Sequence, residues 1–263
     1  MDCRLAVAQT AATSSCEENF STLVGLAQKA KQRDCQALCL PEAFLTGYCP
    51  HRVEEQHLTR EAALLEQVAQ LARQESLDLL VGLQERAGEE YYLTQGLFLA
   101  DGRREFYRKT HLGQREAQVF TPGRELPVFQ LTNGLWVGIA LCVECHFPEL
   151  LQTLALKGAE VVFAPHAVPV QAGFREKIWS RYIPARSYDN RLYMACCNLE
   201  DGNGLAGGCL VTTPTGEELC SYYGQGEHLL CFTVERELVE AYRENRSMGK
   251  RFYPAFRQQE LYE

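Results

Sequence analysis

Residues 137–150 read VGIALCVECHFPEL. The first half closes an apolar run, LWVGIALC at 135–142, of the length of a buried strand. The second half brings in Pro148, a residue suited to the first turn of a helix. A strand that hands over to a helix within a few residues is the repeating unit of α/β domains. Cys142 stands at the handover and Cys145 follows three residues later, with Glu144 between them. The pair is open to three readings: a metal clip, a redox pair, or one nucleophile beside an idle neighbour.

The same alternation continues on both sides of this unit. RLAVAQ at 4–9 has strand character, and residues 17–32 carry Phe20, Leu23, Val24, Ala27 and Ala30 at helical spacing. QALCL at 36–40 is a short buried strand ending at Pro41. Residues 58–75 are predicted helical, with Leu64, Leu65, Val68, Leu71 and Ala72 on one side. LDLLVGL at 77–83 is a strand, and residues 91–109 form a hairpin turning at Asp101-Gly102. A long polar loop spans 110–127, a length that often carries function. EVVFAP at 160–165 is a strand, and 175–190 is helix around a break at Pro184. LYMACCN, GGCLVTT, PTGEEL and HLLCFTV are strands and tight turns, followed by a last helix near 235–245. No repeat or linker divides the chain, so one α/β domain over 1–263 is the simplest organisation, with 240–263 as a C-terminal tail.

Apolar residues make up 46% of the 263, which suits a globular core. The net charge of −8 comes without any Lys/Arg run, which argues against nucleic acid and anionic membrane as partners. The start, MDCRLAVAQT, lacks the basic and apolar regions of an export signal, and no stretch reaches membrane-spanning length. The expected location is cytoplasmic, with the twelve cysteines reduced. Most of them read as small buried hydrophobes, Cys196 and Cys197 above all.

Zinc needs about four ligands, and Cys142/Cys145 has no second CxxC beside it. Only a chance approach of His146 and His166 could complete a site. A redox pair is a weaker alternative. The third reading makes Cys142 a nucleophile on a sharp strand-to-helix turn, where the next backbone N–H faces the substrate, and turns Cys145 toward the core. Such a thiol needs a proton acceptor and a group that stabilises negative charge. LCLPEAFLTGY places Glu42 directly after a strand. FYRKTHLGQREAQVFTPG places Lys109 after another and Glu116 in the loop beyond. Glu42, Lys109 and Cys142 therefore share one placement, and ligands of α/β sheets gather beyond the carboxyl ends of strands.

These segments carry a resemblance. LAVAQT, LPEAFLTGY, YRKTHLGQREAQVFTPG, VGIALCVECHFPEL, PARSYDNRLYMACCN and TPTGEEL stand in the order found in the nitrilase superfamily of carbon–nitrogen hydrolases, nearly end to end. The resemblance implies a four-layer α-β-β-α sandwich and a homodimer or higher homo-oligomer. It also implies amidase chemistry on a small amide or nitrile with water, and no cofactor. Cys142 would be the nucleophile and Glu42 the base. Lys109 and the Val143 backbone N–H would form the oxyanion hole, Glu116 would orient Lys109 or the substrate, and His166 and Tyr48 would line the substrate site. Lys109 and a helix N-terminus would favour the Cys142 thiolate. N-carbamoyl hydrolysis, nitrile hydrolysis, a non-catalytic scaffold and a thiol oxidoreductase remain as alternatives. Val143, Glu144 and His146 depart from the usual residues after the nucleophile, as does Asp189 in the later motif. These positions read as supports of the turn and the subunit surface. The tail aromatics Phe252, Tyr253, Phe256 and Tyr262 are expected to cross to a partner subunit.

Overall fold

The computed structural model describes residues 2–168, 170–171, 173–200, 207–244 and 252–261. In chain order the elements are β1 (Cys3–Ala11), α1 (Cys16–Gln32), β2 (Ala37–Cys39), α2 (Ala63–Glu75), β3 (Asp78–Ala87), β4 (Glu90–Phe98), β5 (Arg104–Arg108), β6 (Phe129–Gln130), β7 (Trp136–Ile139), α3 (Pro148–Leu156), β8 (Val161–His166), α4 (Phe174–Asn190), β9 (Tyr193–Glu200), β10 (Cys209–Thr212), β11 (Glu218–Tyr222), β12 (His228–Val234) and α5 (Arg236–Glu244). A 3-10 turn, Cys142–His146, joins β7 to α3.

The strands form two sheets. One runs β12-β1-β2-β3-β4-β5 and the other β6-β7-β8-β9-β10-β11, and a short parallel pairing of β1 with β9 joins them. Strand alternation assigns the layers, because successive side chains face opposite sides. Leu5 and Val7 of β1, Val161 and Phe163 of β8, and Ala195 and Cys197 of β9 meet in the core between the sheets. Their neighbours turn outward. Ala6 and Ala8 pack with Leu23, Leu26 and Ala27 of α1 and with Val68 and Ala72 of α2. Val162, Ala164, Met194 and Cys196 pack with Leu150, Leu154, Trp179 and Ile183 of α3 and α4. The result is helix, sheet, sheet, helix, as the resemblance implies.

Two boundaries differ from the sequence reading. The helix predicted over 58–75 begins only at Ala63, because Leu58 pairs with Glu85 beside β3 and its N–H donates to Gln84 O at 3.0 Å. The helix α4 does not break at Pro184. Trp179 and Ile183 before the proline, and Ser187 after it, are buried, and Ser187 hydrogen-bonds Thr212. Packing on both sides holds the helix through the one bond that proline cannot make.

The described part of the tail folds back on its own chain. Tyr253–Phe256 forms a 3-10 turn against α3 and α4, Tyr253 packs near Tyr188 and under Arg191, and Arg243 stacks on Phe252. Phe256 and Leu261 stay exposed. Tyr262 lies outside the described residues.

Candidate active site

β1, β2, β3 and β5 run in one direction in the first sheet, as do β7, β8 and β9 in the second, and the β1–β9 pairing is parallel. The residues after these strands therefore share one end of the sandwich. Glu42 follows β2, Lys109 follows β5, Cys142 follows β7, and His166 closes β8. Close backbone approach makes this possible. A Cβ at Gly82 on β3 would sit 2.4 Å from Ala43 N and 2.5 Å from Pro41 O, so only glycine lets the Glu42 segment lie against that strand. A Cβ at Gly123 would meet Arg108 O at 2.3 Å, and the Gly123 N–H donates to Lys109 O at 2.8 Å.

Lys109 is buried, and its Nζ donates to Glu42 Oε1 and Glu116 Oε1, each at 2.8 Å. Burial works against the ammonium, but the charges of Glu42, Cys142 and Glu116 outweigh it and hold its pKa above the usual value. Glu116 is pinned in turn. Its Oε2 accepts the Gly113 N–H at 2.6 Å, and its Oε1 also accepts the Tyr48 hydroxyl at 3.0 Å. Glu42 is 1% exposed, and its second oxygen, Oε2, is buried without a hydrogen-bond partner. Burial pushes the Glu42 pKa up, Glu116 adds to the rise, and Lys109 opposes it, which leaves it at about 7. A carboxylate so placed can take and return a proton near neutrality.

Cys142 has φ +50°, a backbone strain found at sharp nucleophile turns. It keeps partial solvent access in surroundings that charge its sulfur poorly. Lys109 pulls the Cys142 sulfur toward the thiolate, as the sequence reading has it, but other causes outweigh it. Burial and the Glu42 charge raise the thiol to about 12 against the pull of Lys109 and Arg175. Cys145 is fully buried among Leu150, Leu151 and Ile183, and its thiol donates to Ala140 O at 3.6 Å. Both cysteines are free.

His166 is 1% exposed, with Nδ1 on Ala164 O at 2.8 Å and its ring meeting the Trp179 edge at 4.9 Å. Burial, then the Arg175 charge, push its pKa well below the usual value, so the imidazole is neutral and Nδ1 is the donor. Tyr48 reaches the site through its bond to Glu116.

Glu144, read from the sequence as a support of the turn, has a wider reach in the structure. It is fully buried, and its Oε1 accepts from Tyr107 OH at 2.7 Å, Thr110 N at 2.7 Å, Thr110 Oγ1 at 2.8 Å and His111 N at 3.1 Å. Its Oε2 accepts from Leu141 N at 2.7 Å. One carboxylate thus ties the segment after Lys109 to the residue before Cys142. Burial would raise its pKa, but the hydrogen bonds from His111, Tyr107, Leu141 and Thr110 win and lower it. The signal for this role was an acid inside an otherwise apolar turn, two residues past the nucleophile candidate.

A sequence model described as carbon-nitrogen hydrolase matches residues 4–244. A Pseudomonas protegens protein described as the hydrolase in the pqqF 5' region is 30% identical over 240 residues, covering 88% of this chain and 80% of its own. The deaminated glutathione amidase of Rattus norvegicus is 28% identical, covering 92% and 79%. Among solved structures, an amidase variant from Nesterenkonia sp. AN1 in complex with butyramide superposes with a TM-score of 0.82 at 26% identity, covering 98% of this chain and 95% of that one. Another variant of that amidase carries the acetamide moiety of fluoroacetamide covalently at its active-site cysteine.

Proposed function

The chain belongs to the carbon–nitrogen hydrolase family, and from that premise we propose an amidase that cleaves a small non-peptide amide to a carboxylic acid and ammonia, with residues 1–263 as one catalytic domain. Glu42 takes the Cys142 proton as the sulfur attacks the amide carbon. Lys109 and the Val143 N–H hold the oxyanion, since the first N–H groups of a helical turn have no partner within it. Glu42 returns the proton to the departing amine and then activates the water that cleaves the thioester. Glu116, held by Tyr48 and Gly113, keeps Lys109 in place. His166 and Tyr48 stand at the substrate's edge. The observation that carries this reading is the unpartnered Glu42 Oε2, in an acid pushed to about 7 beside a nucleophile candidate.

An ammonia-release screen tests it. The panel holds short aliphatic amides, dicarboxylic acid mono-amides, N-carbamoyl amino acids and nitriles, with Cys142→Ser as control. Release from amides is expected, absent in the control. With Glu42 as a base of raised pKa, kcat/KM should fall as the pH drops below about 7 and the carboxylate gains its proton. A flat profile down to pH 5 would remove Glu42 from that role, and silence across the panel would favour a scaffold.

We also propose a cytoplasmic homo-oligomer. Free thiols at all twelve cysteines are consistent with a reducing compartment. No helix of the described residues is long and apolar enough to cross a membrane. The exposed Tyr253 and Phe256 of the tail turn stand beside α3 and α4, with Tyr188 near Tyr253, a face suited to a second copy. Light scattering at micromolar concentration should give at least a dimer mass, and a monomer mass would overturn this.

A further inference from the structure

Cys35 and Cys231 are 196 positions apart in the chain and meet sulfur to sulfur. Cys35 Sγ donates to Cys231 Sγ at 3.5 Å, with Arg33 O as a second, longer partner at 3.9 Å. The local chain explains the meeting. α1 ends at Gln32, Asp34 takes φ +58°, and the Cys35 N–H turns back to donate to Ala30 O at 3.0 Å. That reversal puts the Cys35 side chain in the layer under α1. Cys231 of β12 enters the same layer, because its neighbour Phe232 takes the core between the sheets.

The two thiols differ in the way an oxidisable pair requires. Cys231 is half-buried, within reach of a small solute, and Cys35 is buried behind it. The exposed Arg33 donates through Nη1 to Cys231 Sγ at 3.9 Å and to Leu229 O at 3.0 Å, and the charge of the exposed Arg4 acts on both sulfurs. The hydrogen bond from Cys35 outweighs burial, Arg33 and Arg4 add to it, and the Cys231 thiol drops to about 6. The same bond, followed by burial, pushes Cys35 up. A thiolate beside a protonated thiol is the arrangement in which one sulfur attacks a peroxide and the other closes the bridge. Other thiols lack it. Cys39 and Cys197 also interact, but both are fully buried between the sheets. At Cys142, burial and Glu42 push the thiol the other way, to about 12.

We propose that Cys35 and Cys231 form a reversible redox site, oxidised by a hydroperoxide to a disulfide that staples the turn after α1 to β12. The Cys231 thiolate attacks one peroxide oxygen, the O–O bond breaks, hydroxide leaves, and the sulfur becomes a sulfenic acid, two electrons poorer. Cys35 then attacks that sulfur, and its proton leaves with the sulfenic hydroxyl as water. In sum the two thiols give up two electrons and two protons, and one hydrogen peroxide becomes two waters. The sulfurs must close from 3.5 Å by about 1.5 Å, which the Arg33–Asp34 turn beyond the end of α1 can take up. A transient bridge of this kind suits a reducing compartment. Cys35 precedes β2 and Glu42 follows it, so the pair stands at the end of the sheet away from the amidase residues.

The experiment treats the reduced full chain with one equivalent of hydrogen peroxide near neutral pH. Intact mass is read first, and peptides are then mapped after the remaining thiols are capped with iodoacetamide in denaturant. Wild type should become about 2 Da lighter through one Cys35–Cys231 cross-link, and dithiothreitol should restore it. C35S should hold Cys231 as a sulfenic acid, about 16 Da heavier and captured by dimedone. C231S should leave Cys35 unoxidised at the same dose. Oxidation of wild type first at Cys142, or at any thiol outside the pair, would overturn the proposal. So would a Cys231 sulfenic acid that never bridges to Cys35. The wild-type map decides this even if neither variant folds. Ammonia release is no part of the readout, so the amidase reading and this one stand or fall separately.

Discussion

Cys142→Ala is expected to cut ammonia release by roughly 10⁴- to 10⁶-fold, the range for removing a nucleophile from a unit that acts together. The site has no substitute for it. The neighbouring sulfur of Cys145 is fully buried in the apolar layer under α3 and α4, with its thiol turned to the Ala140 carbonyl. It faces away from Glu42 chemistry, so Cys145→Ala should keep its rate within a few-fold. Its cost is one small cavity, about 1 kcal/mol of stability. Steady-state assays on both variants, each checked by thermal melting, separate the two. A dead Cys145→Ala beside an active Cys142→Ala would reverse the assignment and reopen the redox reading.

Glu144→Ala should damage both stability and rate, although Glu144 needs to touch no substrate. Removing it strands the N–H groups of Leu141, Thr110 and His111 and the hydroxyls of Tyr107 and Thr110, in a buried to half-buried setting. Breaking a buried charged network of this kind costs about 3–5 kcal/mol. The rate should fall at least about 100-fold, because the Lys109 segment and the Cys142 turn lose their common anchor and misplacement by an ångström is expensive. Glu144→Gln keeps the shape and some acceptors, so it should retain more of both. The sign of the pH dependence follows from the lowered pKa. The folded carboxyl lies below its ordinary 4.5, so its stabilisation is present above that value and fades as the pH falls through the folded pKa. Urea unfolding between pH 7 and pH 3 should show this loss in wild type and a shallower one in Glu144→Gln. Equal slopes would mean that the carboxylate contributes nothing through its charge.

The difference between the two cysteines was legible in the sequence. Cys142 ends a strand, and a turn there presents its side chain, whereas Cys145 falls one 3-10 turn later on the inner side. The balance of causes on the Cys142 thiol, by contrast, was not legible there. Lys109, paired with Glu42, lowers the Cys142 pKa as expected, but burial and the Glu42 charge outweigh it. That pairing joins residues 67 positions apart, a separation that no local pattern encodes. The helix at 58–62 was misread for a similar reason, since the apolar spacing there is genuine but Leu58 finds a strand to pair with.

The amino-acid order by itself determined the α/β class and the placement of Glu42, Lys109 and Cys142 just past strand ends, because period-2 burial and strand-closing turns are local properties of the chain, while the four-layer sandwich was implied by the family resemblance. The tertiary structure alone decided that burial pushes Glu42 to about 7 and the Cys142 thiol upward, and that Glu144 ties two distant segments together. Each of these depends on which groups lose water together and which charges they then face, and that is fixed only when the two sheets dock.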